Sequence, residues 1–127
     1  METERKRRER PPDWWYDNLL KDLYELSCLS EQKRLWLSDE SNVKEVSCFT
    51  EVCCRIFDDG AVTEWLQDRT LQNVTSKEFS TSITRLNALI DDVDEYKPPH
   101  AIMASPSMVP VRTEAKRARE LLKACRP

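Results

Sequence analysis

The chain has 127 residues, which is enough for one ordinary domain, and its 39% hydrophobic and 34% charged residues are typical of a soluble globular protein. Its formal net charge is −3, and no stretch approaches the roughly 18 consecutive apolar residues that a membrane span requires. The single glycine, Gly60, argues against phosphate-binding loops and nucleotide-binding fingerprints, because both depend on glycine.

Several segments show helical spacing of apolar residues and none shows sustained strand alternation, so the sequence predicts an all-α fold. We expect a compact single-domain bundle of five to six helices over residues 13–127, preceded by a flexible basic arm over residues 1–12. The first helix runs from a capping Asp13 to about Cys28, and its apolar stripe contains Trp15, Leu19, Leu23 and Leu26.

Three further helices are predicted from their caps and breakers. Ser30 caps a short second helix. The third helix covers about residues 43–57 and ends at Asp58-Asp59-Gly60. Asp59 also serves as the predicted cap of a fourth helix over residues 61–71.

The fifth helix has the clearest signals, because Thr75 and Glu78 stand at capping-box spacing. Its apolar stripe contains Phe79, Ile83, Leu86, Ile90 and Val93. Pro98-Pro99 stops this helix, and an irregular segment over residues 102–110 leads to the last one. The last helix has a similar apolar face, made of Val111, Ala115, Ala118, Leu122 and Cys125.

The five cysteines are an odd number without a repeated spacing, which indicates free thiols in a reducing, cytoplasmic compartment. We expect them to be buried as small hydrophobic side chains. No zinc site is expected, because Cys48, Cys53 and Cys54 lack the paired short spacing of structural sites and His100 is the only histidine. The first ten residues are charged with no apolar segment after them, so no secretory signal is expected.

No catalytic constellation is recognisable in the sequence, so we expect a protein without enzymatic activity, cofactor or metal. His100 has no identifiable nucleophilic partner, and Cys54 has no nearby activating base. The acidic clusters lack the alternating ligands around a glycine that calcium loops require.

Charge is unevenly distributed, because residues 11–111 carry 9 basic and 18 acidic side chains while both ends are net basic. One acidic cluster, at the C-terminal turn of the fifth helix where the dipole disfavours anions, contains Asp91, Asp92, Asp94 and Glu95. A second, around Gly60, contains Asp58, Asp59, Glu64 and Asp68. Solvated faces, basic partners and a plain cap at Asp59 are the alternative explanations, but we predict that both clusters bind a protein partner.

Trp14 and Trp15 are adjacent on a helix and therefore point about 100° apart, so one of the two indoles is expected at the surface. Packing of Trp14 over the helix edge is the alternative to a role in binding. We add Trp14 to the predicted partner-binding residues, because aromatic side chains ringed by charge are typical of protein interfaces.

The arrangement of these motifs resembles the small helical immunity proteins that bacteria encode beside polymorphic or contact-dependent toxins. The resembling stretches are Trp15 with Leu19 and Leu23, Gln32 with Trp36, Phe49-Thr-Glu51 with Cys53, Phe57-Asp-Asp59, Leu86 to Ile90, and Pro106 to Ala115 with Val111-Arg112. The resemblance implies a cytoplasmic protein that neutralises a cognate toxin, often a basic nuclease, and that has no catalytic residues. The basic arm at residues 5–10 departs from the pattern of this family.

Two other function classes remain open. A helical adaptor or regulatory subunit would bind a partner helix in a groove between its own helices. A nucleic-acid-associated regulator would use Lys6-Arg-Arg8 and the basic last helix, but the acidic centre of the chain argues against it. We therefore expect a cognate toxin as the partner, with no membrane and no nucleic acid involved, and the oligomeric state is left open.

Overall fold

The computed structural model describes residues 11–37, 47–67 and 69–126 of the chain. These residues form eight α-helices and no strand, which confirms the all-α prediction. In chain order the helices are α1 (Asp13–Ser27), α2 (Leu29–Trp36), α3 (Phe49–Cys54), α4 (Val62–Gln67), α5 (Thr70–Val74), α6 (Lys77–Ile90), α7 (Pro99–Ala104) and α8 (Met108–Cys125). A π-helical turn, Arg55–Asp59, extends α3. Within the described ranges, no helix is long and apolar enough to cross a membrane.

The helix count exceeds the predicted five to six for two reasons. The predicted fourth helix divides into α4 and α5 before Arg69, whose left-handed φ of 65° interrupts a right-handed helix. The segment over residues 102–110, predicted to be irregular, holds the end of α7 and the start of α8. Pro99 begins α7 and Pro110 lies in the first turn of α8, where the missing N–H removes no helical hydrogen bond.

The core lies between the three longest helices, because α8 packs against both α1 and α6. The predicted stripes supply it, and their buried members are Trp15, Leu19, Leu23, Leu26, Phe79, Ile83, Leu86, Val111, Ala115, Ala118 and Leu122. Small side chains at Ala115 and Ala118 allow neighbouring helices to approach α8 closely. Ile90 and Cys125 are only partly buried at the edge of this core.

The cap of α6 is Ser76, one residue after the predicted Thr75. The Ser76 hydroxyl accepts a hydrogen bond from the backbone N–H of Phe79 at 3.0 Å. The Thr75 hydroxyl instead donates to the carbonyl of Leu71 in α5. Two adjacent hydroxyls compete for one capping position, and sequence spacing does not distinguish them.

The predicted caps of the first two helices are also wrong. Pro12 occupies the N-cap position of α1, and Asp13 lies in the first turn, where its negative charge suits the helix dipole. Cys28 precedes α2, so the helix begins before Ser30. Residues 1–10 of the predicted basic arm lie outside the described residues.

The third predicted helix begins later than expected, at Phe49. Cys48 has extended backbone and caps α3, because its Sγ accepts a hydrogen bond from the backbone N–H of Glu51 at 3.4 Å. Residues 43–46, predicted to be helical, lie outside the described residues.

The π-helical turn after α3 ends at Gly60 and is tied to α1. A Cβ atom at Gly60 would lie 2.7 Å from the carbonyl oxygen of Ile56, so the turn has no room for a side chain there. The Gly60 carbonyl accepts a hydrogen bond from the Trp15 indole at 2.9 Å. Asp59 lies inside the turn and does not cap α4 as predicted, because Ala61, with a φ of 58°, stands directly before that helix.

The side-chain amide of Gln32, on α2, joins three helices at a fully buried position. Its Nε2 donates to the backbone carbonyls of Glu25 at 3.1 Å and Leu26 at 2.8 Å, near the end of α1. Its Oε1 accepts a hydrogen bond from Arg112 Nε on α8 at 3.1 Å. Because the last carbonyls of a helix have no partner within it, this amide satisfies groups that would otherwise be buried without one.

The substitution Gln32→Leu should lower the free energy of unfolding by about 2–4 kcal/mol, because it removes the hydrogen bonds to two carbonyls and to Arg112. Urea unfolding followed by circular dichroism measures the change. The control is Gln72→Leu at an exposed position of α5, which should alter the free energy by less than about 0.5 kcal/mol. Equal losses in the two variants would contradict the joining role of Gln32.

Candidate functional site

The first acidic cluster lies in the turn that follows α6, not in the last helical turn as predicted. α6 ends at Ile90, because Asp91 already occupies the C-cap position. The four carboxylates of this turn, Asp91, Asp92, Asp94 and Glu95, are all exposed. Placement beyond the helix moves them away from the negative end of the helix dipole and lowers the cost of their charge.

Two hydrogen bonds hold this acidic turn in place. Asp94 Oδ1 accepts a hydrogen bond from the backbone N–H of Tyr96 at 3.1 Å. Glu95 Oε2 accepts one from the Thr50 hydroxyl at 3.1 Å, and Thr50 lies in the first turn of α3. The second bond joins residues 45 positions apart in the sequence and brings the turn against α3.

The second acidic cluster is only partly brought together. Asp58 and Asp59 are exposed in the π-helical turn, and Glu64 is exposed on α4. Asp68, predicted as a member of the same cluster, lies outside the described residues.

The exposed thiol of Cys54, on α3, lies near both clusters. Desolvation raises its pKa, and the negative charges of Asp58, Asp59 and Glu95 raise it further. Such charges act strongly on a thiol only over short distances, so these three carboxylates share one side of α3. We call this surface the acidic face and define it by these three residues together with the rest of the acidic turn, Asp91, Asp92 and Asp94.

The acidic face keeps its negative charge. Within the described ranges, none of its six carboxylates forms a salt bridge with a lysine or arginine. The nearest carboxylate that does so on α3 is Glu51, whose Oε1 lies 3.1 Å from Arg55 Nη1. Neutralisation by described basic neighbours therefore does not account for this surface, which presents a negative potential to solvent.

A pocket of about 480 Å³ lies between α1 and the π-helical turn. Trp14 and Asp59 both line it, so the structure brings together two predicted site residues from separate segments. Trp14 is 62% exposed and Trp15 only 5%, which confirms that one of the two indoles is at the surface. Trp15 also lines the pocket, and its ring packs against that of Trp65 with 5.2 Å between centroids.

The buried side of the pocket contains a charged cluster centred on Arg55. Its Nε donates to Asp22 Oδ1 at 3.0 Å, and one terminal nitrogen donates to Glu25 Oε1 at 2.8 Å. Burial acts to lower the pKa of Arg55, but the hydrogen bond and charge of Asp22 and the charges of Glu25 and Glu51 raise it overall. Desolvation raises the pKa of Asp22, although Arg55 acts in the opposite direction.

Glu25 is the most deeply buried carboxylate of this cluster, with only 4% of its surface exposed. Its Oε2 accepts hydrogen bonds from the Trp36 indole at 2.9 Å and from the Ser47 hydroxyl at 2.6 Å. Both of its oxygens are thus bonded, which a buried carboxylate requires in order to remain charged. The cluster joins α1, α2 and α3 and fixes one side of the pocket.

Sequence reasoning missed this cluster and one exposed aromatic residue. Asp22 stands three residues after Leu19 and four before Leu26, which is a core-facing spacing, and a carboxylate there signals a buried pair. Glu25, one helical turn further on, carries the same signal. Tyr96 is 91% exposed in the acidic turn, and an aromatic residue inside a charged run was the available sign of it.

All five cysteines are free thiols, as predicted, but the expectation that they are buried is wrong for Cys48 and Cys54. The buried side of α3 and its π-helical extension is already occupied by Phe49, Val52 and Ile56. The residues that the structure describes contain no group of three histidine, cysteine or acidic side chains arranged to hold a metal ion.

Comparisons of the chain with known protein families, with curated proteins and with solved structures found no match. The chemistry of the site is therefore the guide to function. The site combines unneutralised surface carboxylates, two exposed aromatic side chains and a pocket whose buried charges are already paired. Such a combination suits association with a basic partner, because surface charges steer the encounter and exposed aromatic groups supply contact area.

The thiol of Cys54 reports on the acidic face, because the thiolate is the form that reacts with alkylating agents. Asp58→Asn and Glu95→Gln each remove a charge that raises the Cys54 pKa, so each should increase its alkylation by iodoacetamide about two- to fivefold. Peptide mass spectrometry measures the rate at this position. The control is Glu78→Gln on α6, and rates in the two variants no faster than in this control would contradict the placement of both clusters beside Cys54.

Proposed function

We propose that this protein is a binding module for a basic protein partner and that it acts as a cytoplasmic immunity protein, neutralising a cognate toxin. The observation that carries this proposal is the acidic face, in which carboxylates from two distant segments surround Cys54. The likeness of the sequence motifs to small helical immunity proteins supplies the biological class. A basic nuclease is the kind of toxin that this face suits, because its active site binds an anionic substrate.

Electrostatic complementarity explains how such a protein would work. A negative face and a positive active-site surface attract each other over about 8–10 Å at physiological ionic strength, which accelerates association. Once docked, the face blocks the access of substrate to that surface. This mode of inhibition requires no catalytic residue on the inhibitor.

Exposed aromatic side chains supply the second ingredient of a tight interface. Trp14 is 62% exposed beside Asp59, and Tyr96 is 91% exposed beside Glu95. Tryptophan and tyrosine are enriched among the few residues that dominate binding energies. Each therefore places an apolar contact next to the charges of the acidic face.

The nucleic-acid alternative loses support on the last helix. Arg119 lies over the ring of Tyr24 at 5.0 Å, and Arg126 donates a hydrogen bond to Asp17 at 2.6 Å. Side chains held in such internal contacts are less free to follow a phosphate backbone. The helical-adaptor alternative is separated from the proposal by sedimentation velocity, since stable self-association of the isolated chain would favour the adaptor.

The direct test is co-expression of this protein with the product of the adjacent gene in cells that the product alone prevents from growing. Restored growth and a complex that copurifies are the expected results. A toxic neighbour whose effect is unchanged by this protein would reject the immunity function. Restoration without copurification would reject the binding mechanism.

Charge neutralisation should slow association with that neighbouring product. The triple variant Asp58→Asn, Asp59→Asn, Glu95→Gln should reduce the association rate constant about 10-fold at low salt, with little difference at about 1 M salt. Stopped-flow fluorescence of the tryptophans measures both rates. The matched control removes the same charge elsewhere, through Glu31→Gln, Glu78→Gln and Glu120→Gln. Equal slowing by the two triple variants would show that net charge alone matters and would contradict docking at the acidic face.

A further inference from the structure

The pocket beside Trp14 combines aromatic walls with buried carboxylates. Trp14 is largely exposed, whereas Trp15 is held in place by its hydrogen bond to Gly60 and its packing on Trp65. The faces of indole rings attract guanidinium and ammonium groups. One fixed and one exposed indole therefore form a receptor for a cationic group.

The charges around the pocket favour a cation as its occupant. The acidic residues at the pocket and around Arg55 are Asp22, Glu25, Glu51 and Asp59, and the basic ones are Lys21 and Arg55. Two negative charges are thus in excess. The guanidinium of Arg55 already contacts three carboxylates, so it adds little repulsion toward a second cation.

Arginine suits this pocket better than lysine. Its planar guanidinium stacks on indole and donates two parallel hydrogen bonds to one carboxylate, whereas an ammonium group is more strongly hydrated and lacks this fork. Trp14 and Asp59, both exposed at the pocket, offer these two kinds of contact.

We propose that the pocket between α1 and the π-helical turn receives an arginine side chain of the protein partner, between Trp14 and Asp59. This inference rests on the proposed function, since it assigns the chemistry of the partner residue that enters the pocket. It gives the acidic face a specific anchor point in addition to its general potential. The neighbouring carboxylate of Asp58 lies outside the lining of the pocket and has no part in it.

The test uses Nα-acetyl-arginine methylamide as the probe, added to the full chain and followed in ¹H–¹⁵N spectra of the tryptophan indoles. The signals of Trp14 and Trp15 should shift and saturate with a Kd of about 1–20 mM. Trp65 packs behind Trp15 and does not line the pocket, so its signal is the internal control. The citrulline analogue, which has nearly the same shape without the charge, should bind at least 10-fold more weakly at matched ionic strength.

Two variants locate the site. Asp59→Asn should weaken arginine binding about 5-fold or more, whereas Asp58→Asn should change it less than 2-fold, although both remove one exposed charge from the same turn. Equal weakening by the two variants would overturn the pocket and leave a diffuse electrostatic attraction. Equal binding of arginine and citrulline, tighter binding of the lysine analogue, or no saturable shift up to about 50 mM would also overturn it.

These outcomes are separable from failure of the proposed function. An arginine site that binds the probe while the neighbouring toxin is unaffected would leave the pocket and reject the immunity role. Conversely, a toxin complex whose stability is unchanged by Asp59→Asn would leave the proposed function and reject the arginine anchor.

Discussion

The buried carboxylate of Glu25 imposes the constraint on which the functional part of this structure depends. A charge with 4% of its surface exposed must be bonded on every side, and three elements supply the partners: Trp36 at the end of α2, Ser47 before α3, and Arg55 after α3. Removal of one partner from such a pair typically costs about 3–5 kcal/mol. The pairing therefore holds α1, α2 and α3 in one arrangement, and the pocket is a consequence of it.

The position of Arg55 also determines what reaches the surface. Once its side chain points toward Glu25, the residues on the other side of the same helical turn, Cys54 and Asp58, must face solvent. The bond between Thr50 and Glu95 then brings the acidic turn to that side. A buried network with its charges paired thus supports an exposed face whose carboxylates have no described basic partner, which is the division of roles expected of a preorganised binding surface.

The sequence predicted the features that depend on local periodicity and missed those that depend on distant pairing. The stripes of α1, α6 and α8 were recognisable because a helix repeats its buried face every three to four residues. The cap at Ser76 was misplaced because Thr75 competes for the same role, and the break at Arg69 has no sequence signature. Both acidic clusters were identified separately, but only the tertiary contact between α3 and the turn after α6 shows that they share a face.

Carboxylate footprinting of the complex with the neighbouring gene product tests the central claim most directly, because carbodiimide labelling reports the accessibility of each carboxylate. The account predicts that binding protects Asp59, Asp92 and Glu95, while Glu78 on α6 and Glu120 on α8 are labelled as in the free protein. Protection of Glu78 and Glu120 with unchanged labelling of the other three would place the partner on the opposite helices and contradict the account.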